Sequence, residues 1–223
     1  MRKSFISRSS SLDRARLDRR QVIASGLLGS AAFLFHQRLG AAPNMRLVET
    51  EDDIEGRFYK PEAPERSVLF EDSASGKRLD LAGRVLNTEG KPVAHALLDV
   101  WQTRDVLRPN DVLRTNDVLQ TNGEAQYDNE GFGMRGRLYT NDRGFYRLKT
   151  LIPKPHDVGN HSRPAHIHFK ISAPDGPVLT TQLYIKGDPN IVADPYARPS
   201  RMIRPKAAGR GTVARFDFVV RQE

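Results

Sequence analysis

Arg163-Pro164-Ala165-His166-Ile167-His168-Phe169-Lys170-Ile171 is the stretch of this chain best equipped for chemistry. Read as a β-strand, its side chains alternate between faces, so His166, His168 and Lys170 point one way and Ile167, Phe169 and Ile171 the other. Two imidazoles on one face can place two nitrogen donors on a single metal ion, and imidazole suits iron, copper, nickel and zinc alike. The competing reading of His-x-His alone is a solvated polar strand face. The sequence has no cysteine, so any metal must be held by histidine, tyrosine or carboxylate.

A strand needs a sheet to hold it. From Leu79 onward short apolar runs alternate with turn residues: Leu81 to Leu86 closed by Asn87-Thr88-Glu89-Gly90, Ala96 to Trp101, Phe145 to Leu151 after Asn141-Asp142-Arg143-Gly144, Ala165 to Ile171, Leu179 to Ile185, and Val213 to Val220. No long helical pattern follows residue 42, so the expected fold class is all-β, a two-sheet β-sandwich over residues 79–223. The polar, proline-bearing segment 43–78 is expected to lie over that body as an extended N-terminal arm, a flexible linker being the alternative. Three near-identical hexamers, Asp105 to Asn110, Asp111 to Asn116 and Asp117 to Asn122, read as a duplicated surface loop, because closure entropy rises only logarithmically with length. A β-helical coil is their alternative. Trp101 is read as core, Asp99 as paired internally, and His95 as solvated.

At 223 residues with 38% hydrophobic content the chain can bury one sizeable core. The formal charge of +8 invites a nucleic-acid partner, but six of those charges fall within residues 1–42 and the body is nearly neutral. Nucleic acid is therefore excluded as the expected partner. The same 42 residues join a basic start and Arg19-Arg20 to an apolar run from Val22 to Phe35 and then Gly40-Ala41-Ala42. That pattern is a twin-arginine-type signal peptide, with export to the periplasm or medium. An uncleaved membrane anchor is the alternative, although the apolar run is short for a spanning helix.

With the hexamers set aside, a further order of motifs emerges: Leu81 to Val85, Gly90 to Val93, Ala96 to Gln102, Tyr127 to Phe132, Arg135-Gly136-Arg137, Arg163 to Phe169, and Thr181 to Pro189. In these the chain resembles the intradiol ring-cleavage dioxygenases, the family of protocatechuate 3,4-dioxygenase and catechol 1,2-dioxygenase, over about residues 56–220. Removing the hexamers brings Tyr127 to the family's spacing after Trp101-Gln102. The resemblance implies a non-haem Fe(III) cofactor held by two tyrosines, two histidines and solvent. Its substrates would be a small aromatic diol and O₂, the ring being cleaved between its two hydroxylated carbons. Carried over by position, Tyr127, His166 and His168 are metal ligands. At the second tyrosine's place stands His156, in Ile152-Pro153-Lys154-Pro155-His156-Asp157, and His161 is its rival. Imidazole there can ligate iron or accept a proton near neutral pH, but leaves the site one negative charge poorer.

Arg163 matches the family arginine beside the substrate, a fixed cation able to stabilise carbanion character on the ring, with an ordinary salt bridge as the alternative. Gln182 matches a glutamine near the iron, with a structural hydrogen bond as the alternative. Phe58 and Tyr59 resemble an arm segment at the pocket mouth and are assigned to substrate binding. Tyr139, Tyr146 and Tyr184 are read as filling or flanking strands, with Tyr139 as a metal ligand the alternative. The resemblance leaves homo-oligomerisation open. A non-catalytic metal- or ligand-binding β-sandwich that has lost the chemistry with its second tyrosine is the alternative function, because a fold alone does not fix an activity. A zinc hydrolase is a third reading, weakened by the lack of a carboxylate beside the histidine pair.

Overall fold

Alternation of Leu79, Leu81 and Val85, all buried, with half-buried Asp80, Ala82 and Arg84 makes β1 (Arg78–Asn87) the spine of one sheet. The computed structural model describes residues 46–71, 74, 76–104 and 126–222, and the expected signal peptide and hexamer loop lie outside the described residues. Eleven further strands follow: β2 (Leu97–Gln102), β3 (Arg135–Tyr139), β4 (Phe145–Leu151), β5 (His156–Val158), β6 (His161–Arg163), β7 (His166–Ser172), β8 (Leu179–Ile185), β9 (Met202–Ile203), β10 (Lys206–Ala208), β11 (Gly211–Arg215) and β12 (Phe218–Val220). Among the described residues the only helices are two short 3₁₀ turns, Pro189–Val192 and Pro199–Arg201.

In the first sheet β4 runs antiparallel to β1, while β11 and then β12 run parallel to it, and β10 closes the edge on β11. The second sheet has the order β3-β2-β7-β8-β9, and β5 and β6 form a separate hairpin. Inner faces of the two sheets share one core. Leu79, Leu81, Leu148 and Phe218 meet Leu98, Val100, Ile167, Phe169, Ile171 and Leu183, and Phe169 touches Phe218 at a ring separation of 5.0 Å. Each such fully buried side chain contributes about 1.5–3 kcal/mol. The two-sheet sandwich is thus the fold, as the turn-separated runs imply.

Val213 to Val220, expected as one strand, is two. Residues pair with β1 at one constant register from Leu79↔Thr212 to Val85↔Phe218, broken only at Phe216 and Asp217. There the Phe216 carbonyl crosses over Gly83, and the Asp217 carboxylate accepts the Arg84 N–H at 2.8 Å. A Cβ on Gly83 would sit 1.6 Å from that oxygen. Gly83→Ala is therefore expected to cost about 2–3 kcal/mol, read as a lower urea midpoint at unchanged slope.

Residues 51–63 of the arm run over the outer face of the second sheet, while Ser67 and Leu69 bond to Lys149 of β4 in the first. The Asp53 N–H donates to the Thr180 carbonyl at 2.8 Å, Thr181 Oγ1 to the Glu51 carbonyl at 2.8 Å, and Gln182 Nε2 to the Ile54 carbonyl at 2.8 Å. Further along, Arg137 Nε donates to the Ala63 carbonyl at 2.6 Å. These bonds cover what would otherwise be a wetted sheet face.

Candidate metal centre and active site

Antiparallel partners share a face, and the register of the second sheet lines up a row of side chains under the arm. Arg135 of β3 lies opposite Trp101 of β2, Trp101 opposite His168 of β7, and His168 opposite Gln182 of β8; one step on, His166 faces Tyr184. The core-facing neighbours Ile167 and Phe169 are fully buried, so the apolar half of the strand pins the imidazoles to the other side.

Tyr127 arrives from the segment before β3 and is held from three directions. Asp128, next to it, accepts the backbone N–H groups of Glu130, Gly131 and Gly133 at 3.2, 2.8 and 2.8 Å. A Cβ on Gly133 would lie 2.7 Å from that carboxylate. Lys60 of the arm donates to the carbonyls of Asn129, Glu130 and Gly131 at 3.3, 3.1 and 3.1 Å. Arg135, 1% exposed, donates to the Asp128 carbonyl at 3.2 Å and the Phe58 carbonyl at 2.6 Å. The Phe58 ring then stacks on the Tyr127 ring at 4.3 Å and 11°.

The phenol oxygen lies 2.9 Å from His168 Nε2 and 3.3 Å from His166 Nε2, and the two Nε2 atoms are 3.1 Å apart. Metal–nitrogen bonds of about 2.0–2.1 Å at right angles set two donors about 2.9 Å apart, so this triangle fits one ion. His166 Nδ1 donates to the Pro164 carbonyl at 2.6 Å. That bond leaves the ring's lone pair on Nε2, inside the triangle, which is how protein carbonyls prepare an imidazole for a metal. His168 lies flat on Trp101 at 4.7 Å and 10°, and its Nδ1 is buried with no partner among the described residues.

Burial sets the protonation states. It pushes both imidazoles well below the usual range, with Arg163 adding to the effect, and so keeps them neutral. Burial also raises the Tyr127 phenol, against the opposing fields of Arg163 and Arg135. A phenolate here therefore requires a cation, which reverses the local preference for the neutral form. The donor set of one phenol oxygen and two neutral imidazoles suits a hard, highly charged transition ion.

His156 stands beside the triangle rather than in it. Its ring lies 5.1 Å from that of His166 and 5.3 Å, edge-on, from that of Tyr127, and its Nδ1 is buried without a partner among the described residues. Burial first, then Arg163, lowers its pKa to about 4. Among the described residues no three of His, Cys, Asp and Glu gather into a metal-holding group. His161 is exposed on the hairpin. Tyr139 is 49% exposed and pairs with Leu97, four positions along β2 from the His168 row.

Arg163 and Gln182 do come together, Nη2 donating to Gln182 Oε1 at 3.1 Å. Phe58 reaches the phenol, whereas Tyr59 packs on Trp101 at 5.0 Å and donates its hydroxyl to Asp99 at 3.0 Å. Asp99 is buried and paired, as alternation suggested. Trp101 is fully buried, as expected, but on the strand face that carries His168, so it backs the site rather than joining the cluster between the sheets. Tyr184, expected as strand filling, is bonded into the site's polar network, accepting from Arg163 Nη2 at 3.0 Å and donating to Asp53 at 2.8 Å. Asp53, Arg135, Asp194 and Arg201 were not singled out by sequence. Arg135, between Trp101's row and the Tyr127 turn, sits in the Arg-Gly-Arg motif and was within reach of such reading.

A family model described as Dioxygenase matches residues 54–221. The beta chain of protocatechuate 3,4-dioxygenase from Burkholderia cepacia is 34% identical over 152 residues, which cover 66% of this chain and 60% of the relative. Catechol 1,2-dioxygenase 2 of Acinetobacter lwoffii is 31% identical over 164 residues, covering 65% and 54%. The chain thus spans only 54–60% of the length of these curated relatives. Among solved structures, the dioxygenase domain of a dioxygenase carbohydrate-binding protein fusion from Streptomyces sp. SirexAA-E is similar at a TM-score of 0.66 and 32% identity, with 79% of this chain and 100% of that one covered. The 3-chlorocatechol 1,2-dioxygenase of Rhodococcus opacus 1CP, at 0.65 and 24% with 78% and 73% covered, shares the fold.

Proposed function

Because this chain belongs to the intradiol ring-cleavage dioxygenases, we propose that it is an exported non-haem Fe(III) enzyme that opens a catechol-type ring between its two hydroxylated carbons with O₂. The observation that carries the reading is the triangle of Tyr127 Oη, His166 Nε2 and His168 Nε2, with edges of 2.9–3.3 Å. Tyr127, His166 and His168 would hold the ion, with His156 in the place of a second tyrosine. When bound, ferric iron supplies chelation of the two catechol oxygens and withdrawal of electron density that opens the ring to O₂.

The chain's own residues do the rest. Tyr127 brings the anionic donor, and the two histidines bring neutral lone pairs whose geometry is fixed by β7. Arg163 places a permanent positive charge beside the site, its field felt at Tyr127, His156, His166 and His168. Such a charge stabilises negative charge developing on a ring. Trp101 and Phe58 close the back and one flank of the cluster, excluding water from the donor atoms. His156, its pKa lowered to about 4, is a weak base at pH 7 rather than the acceptor near neutrality that its position implied, and it takes a proton from an arriving diol only where the diol's developing negative charge raises that pKa.

Iron-loaded protein is expected to be coloured and to consume about one O₂ per catechol, giving a dicarboxylic ring-opened product by mass spectrometry. A protein that takes up iron yet neither colours nor consumes O₂ with any substituted catechol would instead favour a binding sandwich that has lost the chemistry. Export rests on Arg19-Arg20 and the apolar run after it, and substitution of both arginines by lysine should retain the protein in the cytoplasm.

A further inference from the structure

Arg163 is fixed more tightly than a charge placed only for its field needs to be. Its Nε donates to Asp194 Oδ2 at 2.6 Å, and its Nη2 donates both to Gln182 Oε1 at 3.1 Å and to the Tyr184 hydroxyl at 3.0 Å. The other oxygen of Asp194 accepts the N–H groups of Tyr196 and Ala197 at 2.9 and 2.8 Å. One carboxylate therefore both grips the guanidinium and folds the turn that lays the Tyr196 ring over it, 5.0 Å from Cζ. The Asp194 side chain is 1% exposed.

That turn is anchored in its own right. Arg201 Nη2 donates to the Tyr196 carbonyl at 2.7 Å, and Arg201 Nη1 bonds Asp53, which also accepts the Tyr184 hydroxyl at 2.8 Å. The contacts run in a closed circuit from Arg163 through Asp194, Tyr196, Arg201, Asp53 and Tyr184 back to Arg163. Two acids and two arginines alternate around it, so the circuit is neutral as a whole. Of the guanidinium nitrogens, Nη1 alone takes no partner among the described residues.

We propose that Asp194 is a positioning residue for the reaction: it locks the Arg163 fork so that Nη1 is the one donor presented to bound substrate. The inference rests on the dioxygenase reading and adds to it a residue far along the chain from every ligand. Holding a planar fork costs little further entropy once its other donors are engaged, so the lock acts on turnover rather than on substrate capture.

The test compares full-chain protein with Asp194→Asn, which keeps a side-chain oxygen for the turn but gives up the charge on Arg163, and with Asp194→Ser, whose hydroxyl also caps the turn if Asn does not fold. Expected is a roughly 10-fold lower kcat, about 1.4 kcal/mol of barrier, with KM for catechol within about 2-fold and iron content unchanged. A second readout needs no turnover. In iron-free protein the Arg163 Nε–H proton resonance, assigned by its loss in Arg163→Lys, should be downfield and slow to exchange, and should move upfield and exchange faster in either variant. Unchanged kcat, an unmoved resonance, or a parallel fall of kcat, iron content and melting temperature each overturns the proposal. If wild type itself shows no catechol-dependent O₂ uptake, the dioxygenase reading fails, and the resonance alone decides whether Asp194 holds Arg163.

Discussion

Replacing Tyr127 by phenylalanine is expected to bleach the iron-loaded protein and to lower ring-opening turnover on the order of 10³-fold, about 4 kcal/mol of barrier. The change removes one oxygen and little else. The ring keeps its stack on Phe58 at 4.3 Å, and the turn behind it keeps the Asp128, Lys60 and Arg135 bonds, none of which uses the hydroxyl. Melting temperature should therefore hold within a few degrees. What is lost is the only anionic donor of the triangle, leaving two neutral imidazoles to hold a trivalent ion beside the cation Arg163.

Colour makes this result specific. Burial keeps the phenol protonated unless a cation displaces the proton, so a visible charge-transfer band reports a metal on Tyr127 and not a spontaneously ionised tyrosine. Iron titration followed by absorption, with oxygen uptake on the same samples, checks both halves. Retention of the band and of turnover in Tyr127→Phe would remove the phenolate from the site and with it the reading built on the triangle.

How much of this could be read beforehand follows from what is local. His166 and His168 share a face because a strand has period two, and β7 and its neighbours were legible for the same reason; Phe145–Leu151 and Leu179–Ile185 coincide with the expected runs. Which face of β2 meets the core is not local. Trp101 reads as core and is buried, yet Leu98 and Val100 fill the space between the sheets and Trp101 backs His168. The break at Phe216 and Asp217 depends on Gly83, more than a hundred positions earlier, and no window of sequence joins them. The circuit around Arg163 is the extreme case. Asp53 and Arg201 are 148 positions apart, and each alone is an ordinary charged residue in a polar loop. Buried charges of this kind are affordable only in company, and the company is supplied by the fold.

His156 gives the second large effect, and one whose pattern separates two roles. His156→Ala is expected to cut turnover about 100-fold, about 2.7 kcal/mol, while His156→Tyr should bind iron, absorb more strongly through a second phenolate, and turn over at a level nearer wild type. The residue is placed for either outcome by the β5–β6 hairpin, where it pairs directly with Arg163 and its ring reaches both His166 and Tyr127. Its pKa of about 4 means that at neutral pH it offers a lone pair and no charge. A neutral donor 5.1 Å from His166 ring to ring needs a modest shift to join the ion, and takes a proton from a diol only where the diol's negative charge raises its pKa. If Ala lowers iron affinity and shifts the absorption, His156 is a ligand. If Ala leaves both unchanged but slows turnover, the imidazole is the proton acceptor and the ion is held by Tyr127, His166 and His168 without it. Unchanged iron content, absorption and kinetics in both variants would take His156 out of the site altogether, and the place of the second tyrosine would then have to be filled by a group that sequence position does not indicate.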